Sequence, residues 1–356
     1  MTDESDEVLS RVVDGVGFVT LNRPKAINSL NQGMVDELRA VLAGWEQDAA
    51  VGAVVLSGAG ERGLCAGGDV VAIYHSARAD GVVARRFWRD EYLLNGLIGR
   101  FGKTYVSLMD GIVMGGGVGL SAHGAHRVVT ERTKLAMPEV GLGFFPDVGG
   151  TWLLSHSPGE IGTYFGLTGQ TMNGPDAIYA RFADAVVPSN QLPVLRDVLV
   201  EVRPGTASSE VGALIDDFAT GESAGPVAAN EPRIDAWFGH DRMEDIFSAL
   251  QRDGSELARS TLKALNEKSP RGMVVTLKLL RLARGSSLLE ECLVREYRAA
   301  LEVFRSDDFR EGVRAAVIDK DRNPKWSPPR VEDVTPEMLA PYFAQIGADE
   351  LTFEEE

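Results

Sequence analysis

The stretch "TYVSLMDGIVMGGGVGLSAHGAHRVVTE", residues 104–131, decides the fold. "TYVSLMDGIV" is rich in β-branched and aromatic residues and reads as strands. The glycines of "MGGGVGL" open a helix, and "HRVVTE" is a further short strand. Strand, glycine loop, helix and strand in that order predict an α/β body. The same alternation continues on both sides. "VLSRVVDGVGFVTLNRP" (8–24) reads as a hairpin turning at Asp14-Gly15. In residues 28–48, Met34, Val35, Leu38, Val41, Leu42 and Trp45 recur at helical spacing. "VGAVVLSG" (51–58) is a buried strand followed by glycine-rich "GLCAGGD", and residues 76–100 read as helix. Further on, "GEIGTYFGLTG" (159–169) reads as helix and "ADAVVP" (183–188) as strand.

The character changes after "VVPSNQLP" (186–193). Strand patterns become scarce, and 256–268, 270–285 and 287–304 carry helical periodicity. Residues 219–232, "ATGESAGPVAANEP", have the composition of a linker or surface loop. The expectation is an α/β core over 1–190 and a helical region over 191–356 that ends in an acidic tail.

Composition narrows the function. The chain has 356 residues, 44% hydrophobic and 25% charged, as in ordinary globular proteins. A formal net charge of −16 disfavours nonspecific nucleic-acid binding. No apolar run approaches the ~20 residues that span a bilayer, so no membrane association is expected. "MTDESDEVLS" is acidic and polar, unlike a signal peptide, which predicts a cytoplasmic protein. Cys65 and Cys292 are far apart and lack metal-ligand spacing, so neither a disulfide framework nor a metal centre is expected.

Two kinds of segment carry candidate chemistry. "CAGGD" follows a strand and "MGGGVGL" precedes a helix. Glycines let backbone N–H groups approach a ligand, and two N–H groups converging on one oxygen form an oxyanion hole. Alternatively, each cluster is a tight structural turn. The second kind is "MPEVGLGFFPDVGG" (137–150), where Glu139 and Asp147 are the two acids of an apolar run. Burial raises a carboxyl pKa and suits proton transfer, whereas the bland role is to brace turns. Gly117-x-Gly119-x-x-Ala122, with Glu139 twenty residues on, also fits a dinucleotide fingerprint, but mid-chain and without explaining "CAGGD". His123 and His126 read as packing or surface residues, and Cys65 as a small core residue. No G-x-S-x-G elbow occurs.

Taken in order, "LNRPKAINSL", "GLCAGGDV", "GIVMGGGVGLSAHGAHRVVTE", "LAMPEVGLGFFPDVGG" and "LTGQTMNGPDAIYARFADAVVP" resemble the enoyl-CoA hydratase/isomerase (crotonase) superfamily. "FWRDEYLLN", "SLLEECLVREYR", "DFREGVRA" and "DKDRNPKW" resemble most its 3-hydroxyisobutyryl-CoA hydrolase branch, which serves valine degradation. The likeness extends from about residue 8 to 343. It implies a spiral of β-β-α turns followed by helices, and an acyl-CoA thioester substrate with no separate cofactor, CoA being part of the substrate. By matching positions, the oxyanion hole would be the N–H groups of Gly68 and Gly116. Lys25, Ala26, Ala66, Gly68 and Asp69 would line the CoA arm. Glu91, Gly116, Glu139 and Asp147 would face the acyl group. Glu139 would activate water or attack the thioester, giving an anhydride that water opens. Asp147 would manage the thiolate's proton or hold the 3-hydroxyl.

One departure separates hydrolysis from hydration. Hydratases use two glutamates; one matches Glu139, and the other falls at Gly119, which has no side chain. Asp147 stands where hydratases commonly carry glycine. A hydratase or isomerase using Glu139 with Asp147, and a non-catalytic acyl-CoA-binding protein, are the alternatives. The family often forms trimers, which makes a homotrimer an expectation, although the helical C-terminal region could cover that surface.

Overall fold

In a computed structural model that describes residues 6–353, strands and helices alternate as the sequence predicts. The hairpin joins β1 (Val8–Val13) to β2 (Val16–Leu21), with Asp14 and Gly15 both at positive φ in the turn. The remaining strands are β3 (Ala53–Gly58), β4 (Gly63–Cys65), β5 (Thr104–Met109), β6 (Ile112–Met114), β7 (His126–Val129), β8 (Lys134–Ala136) and β9 (Ala185–Val186). One sheet has the order β1-β2-β3-β5-β7-β9, and a smaller one β4-β6-β8. Among the described strands, β1 and β2 pair antiparallel and the other pairs are parallel. The chain thus adds one strand to the large sheet, crosses to add one to the small sheet, and returns. This is the expected β-β-α spiral. Two of its members, the three-residue β4 and β8, are too short for a period of two to register in the sequence.

The chain forms two compact units that are not the linear halves 1–190 and 191–356. The first comprises residues 1–68, 93–136 and 171–228 and holds both sheets. Helix α1 (Gln32–Gln47) buries Met34, Val35, Leu38 and Leu42. A Cβ at Gly17 in β2 would lie 2.5 Å from the Trp45 ring, so the missing side chain lets the helix seat against the strand. Val16, Phe18, Val55, Val106, Leu108 and Val128 form a continuous apolar core with Leu195, Leu199, Val211 and Ile215 from two later helices.

The second unit comprises 69–92, 137–170 and 229–356, and among its described residues it is helical. It includes α2 (Val70–Ala77), most of α3 (Val82–Gly99), α5 (Gly150–Ser155), α6 (Ile161–Thr168) and the helices Pro270–Ala283 and Leu289–Val303. Helix α4 (Gly116–Ser121) belongs to the first unit. The predicted helix over 76–100 is broken at 78–81, between α2 and α3. The change of unit at residue 228 falls inside the linker-like stretch 219–232. Of the acidic tail, residues 354–356 lie outside the described residues.

Candidate active site

In the first unit, the two glycine loops come together. "CAGGD" leaves β4 and "MGGGVGL" leaves β6, and these strands are neighbours in the small sheet. Gly67 sits at φ +103, where a Cβ would stand 3.2 Å from the Met114 carbonyl and 3.7 Å from the Gly116 nitrogen. Gly117 abuts the Cys65 carbonyl, 2.6 Å from where its Cβ would be. Side chains are therefore excluded by protein contacts on both loops. Gly116 is the first residue of α4, whose early N–H groups have no intrahelical acceptor. Among the described residues, the N–H groups of Gly68 and Gly116 donate to no other group. Two adjacent loops thus present unused amides, as an oxyanion hole requires.

The "RPKA" segment is tied to the same loops. Asn28, fully buried, donates to the carbonyls of Ala59, Gly63 and Leu64 at 3.0, 3.2 and 3.0 Å, and its Oδ1 accepts from the Arg23 N–H at 2.9 Å. The Ala66 N–H donates to Ile27 O at 2.9 Å. Arg62 donates to the carbonyls of Pro24 and Lys25, whose side chain is exposed like that of Ala26. Asp69, in the second unit, caps α2 by accepting from the Ala72 N–H at 3.2 Å.

In the second unit, the acids gather. Glu91, Glu139 and Asp147 are 2%, 7% and 6% exposed, so none of them is a solvated surface acid. They come from α3, from the short 3-10 turn Glu139–Leu142, and from the loop before α5. Arg86 and Arg89 on α3 pair with Asp90, not with its neighbour Glu91. Glu91 Oε1 and Glu139 Oε2 are buried without a hydrogen-bond partner. Asp147 differs, because Tyr92, also fully buried, donates its hydroxyl to Asp147 Oδ2 at 2.7 Å. The wall behind them is aromatic: Phe144 stacks on Phe145 at 4.4 Å and on Trp88 at 5.2 Å.

Burial dominates the electrostatics. Desolvation, then the charges of Asp147 and Glu139, push Glu91 well above the usual carboxylate range. Glu139 is raised likewise by burial, then by Asp147 and Glu296. Asp147 is raised from 3.8 to about 7, by burial first and by Glu296, while the Tyr92 hydrogen bond opposes the rise. Among the described residues, the charges acting on these three groups are carboxylates. Like charges at one site cannot all ionise, so at neutral pH the cluster holds fewer charges than carboxyls.

The turn that carries Asp147 is strained. Val148 sits at φ +54, an outlier for a β-branched residue, and Gly149 at φ +78. Glu296, from the helix Leu289–Val303, holds it. Its Oε2 accepts from the Gly149 N–H at 2.7 Å, and its Oε1 from the Thr151 N–H and hydroxyl at 3.0 and 2.5 Å. Burial still raises Glu296 to about 7.

Comparison with known proteins fits this architecture. A model of the enoyl-CoA hydratase/isomerase family matches residues 16–343. The chain belongs to that family. Human mitochondrial 3-hydroxyisobutyryl-CoA hydrolase is 38% identical over 99% of this chain and 92% of its own length. The mouse protein of the same name is 39% identical over the same shares. A crystal structure described as a carnitinyl-CoA dehydratase from Mycobacterium thermoresistibile is 48% identical with a TM-score of 0.93, covering 99% of this chain and 100% of that one. One described as an enoyl-CoA hydratase from Rhodobacter sphaeroides 2.4.1 is 40% identical, TM-score 0.89, covering 98% and 100%.

Within this family frame, other sequence expectations resolve. Gly117, part of the dinucleotide-like spacing, abuts the Cys65 carbonyl, and α4 has six residues. His126 Nε2 bonds Ser208 O at 2.8 Å and serves packing. Cys65 is buried, and its sulfur accepts from the Gly67 N–H at 3.4 Å. Tyr92 and Glu296 were not singled out by sequence. Glu296 could have been, since it sits in line with buried Leu289, Cys292, Leu293 and Ala300 on one helical stripe.

Proposed function

We propose that this chain hydrolyses an acyl-CoA thioester, with 3-hydroxyisobutyryl-CoA the preferred substrate, as a step in valine degradation. One observation carries the reading: Gly119 offers no side chain where a hydratase places its second glutamate, while Asp147 supplies an acid in a buried cluster with Glu139. Hydration needs an acid and a base on an alkene. Hydrolysis needs a stabilised carbonyl oxygen, an activated water and a proton for the leaving sulfur.

In this reading the amides of Gly68 and Gly116 hold the thioester oxygen, each worth ~10²–10³ in rate. Electrostatics favour a division of labour opposite to the one expected from sequence. Asp147, which alone of the three acids receives a hydroxyl donor, ionises first and takes a proton from the attacking water. Glu139, kept protonated by burial and by Asp147's charge, gives its proton to the sulfur. The new C–O bond forms, the C–S bond breaks, and the proton on Asp147 returns to Glu139 to close the cycle. Direct attack by Glu139 would need the charged form that its surroundings oppose. Glu91, protonated and with a free Oε1, would bond the substrate's 3-hydroxyl. No cofactor enters, because CoA is part of the substrate.

A hydratase or dehydratase reading is favoured by the descriptions of the two similar structures. The deciding assay is free thiol release from 3-hydroxyisobutyryl-CoA, run beside loss of crotonyl-CoA absorbance. Thiol release with unchanged crotonyl-CoA supports the hydrolase; the converse supports hydration. A homotrimer belongs to the same proposal and is read by light scattering. So does a cytoplasmic site of action, to be settled by fractionation because the hydrolase relatives are named mitochondrial.

A further inference from the structure

Asp147 is held directly by Tyr92 and, through the turn that follows it, by Glu296, a residue to which neither the family resemblance nor the proposed chemistry gives a role. On one side is the Tyr92 hydroxyl, 2.7 Å from Oδ2. On the other is Glu296, whose carboxylate accepts the Gly149 N–H and both Thr151 donors, and so fixes the turn that starts at Asp147. One helix supports both. Tyr297, next to Glu296, packs edge-on against Tyr92 with ring centres 6.2 Å apart and planes at 79°. The Gly150 N–H closes the turn onto the Asp147 carbonyl at 2.7 Å. The Asp147 side chain is thus anchored by Tyr92, and its backbone by the turn that Glu296 fixes.

We propose that Tyr92 and Glu296 are positioning residues for Asp147 that act in opposite senses, the Tyr92 hydroxyl favouring its carboxylate and the Glu296 charge opposing it. A hydrogen bond donated to an oxygen stabilises the anion, and a second buried anion nearby destabilises it. The groups that face this pair are few. Glu91 and Tyr92 come from α3, Glu139 from the 3-10 turn, and Cys292, Arg295 and Glu296 from the helix Leu289–Val303. Arg295 lowers Glu296 without appearing among the charges on Asp147. Burial raises the Cys292 thiol, so it stays neutral. Thr151 reports on Glu296, because its hydroxyl stabilises the Glu296 anion.

The experiment compares wild type with Tyr92→Phe, Glu296→Gln and Thr151→Val. The first readout is the pH–rate profile of thiol release, and this arm alone rests on the hydrolase reading. The second is the titration of the Asp147 carboxyl carbon by 13C NMR in the substrate-free protein, assigned with Asp147→Asn. Tyr92→Phe should move the Asp147 midpoint up by about one pH unit, and the acid limb of the profile with it. Glu296→Gln and Thr151→Val should both move it down. A purely structural role would lower turnover in all three variants with the midpoint unmoved, and that result overturns the inference, as do shifts of one common sign. If Glu296→Gln does not fold, Thr151→Val carries the same sign test. If wild type releases no thiol, the hydrolase reading fails while the NMR titration still decides this inference.

Discussion

Asp147→Asn should stabilise the folded protein, and increasingly so as pH rises. Burial pushes the native carboxyl up from 3.8 to about 7, and the difference converts at about 1.4 kcal/mol per pH unit to on the order of 4 kcal/mol. The sign follows from the raised value. The folded state binds this proton more tightly than the unfolded chain, so stability is full below pH 4 and is lost as pH rises toward and through 7. The group is 6% exposed, so little screening by solvent reduces the figure. Asparagine keeps an acceptor for the Tyr92 hydroxyl and cannot ionise. Urea unfolding of both proteins at pH 5, 6, 7 and 8 provides the assay. The advantage of the variant should grow by about 2–3 kcal/mol from pH 5 to 8. An advantage that stays constant with pH would refute the reasoning, because burial would then not be holding a proton on Asp147.

Four further outcomes are expected. Glu139→Gln should lose at least 10²-fold in kcat with CoA-ester affinity retained in calorimetry, because the amide keeps the shape and lacks a transferable proton. Gly67→Ala forces φ +103 on a side-chain residue and presses a methyl against the Met114 carbonyl beside Gly116; kcat should fall by about 10²-fold while free CoA binds as before. Glu91→Leu should cut the preference for 3-hydroxyisobutyryl-CoA over isobutyryl-CoA by about tenfold in kcat/KM, the worth of one buried hydrogen bond. Asn28→Ala leaves the carbonyls of Ala59, Gly63 and Leu64 without its donor and should cost about 3 kcal/mol in urea unfolding.

Much of the site was legible because it violates local rules. Glu139 and Asp147 stood out as acids in an apolar run, and the glycine clusters as backbone no packing pattern needed. What stayed hidden depends on distance in sequence. Tyr92 in an amphipathic helix looks like any core aromatic until its hydroxyl is seen 2.7 Å from a residue 55 positions away. Glu296 reaches back 145 positions to Thr151, and only its place on an apolar stripe hinted at burial. Strands β4 and β8 are three residues each, and their pairing with β6 comes from the path of the chain rather than local propensity. The division into two units interleaves segments from three parts of the sequence and leaves no compositional seam except near residue 228.

Among the described residues, the charges that act on Glu91, Glu139 and Asp147 are those of other carboxylates. An arginine beside them would favour the ionised carboxylates and weaken their capacity to protonate a departing thiolate at neutral pH. Without one, burial and mutual repulsion favour the protonated forms, at a cost in stability that grows with pH. The protein then differentiates chemically similar groups with neutral donors. The Tyr92 hydroxyl favours the Asp147 carboxylate, whereas Glu139 and Glu91 each keep an oxygen without a donor and are pushed well above the usual carboxylate range by burial. One base and one acid can thus coexist within a single set of carboxyls, which is what attack by water and departure of sulfur require in the same turnover.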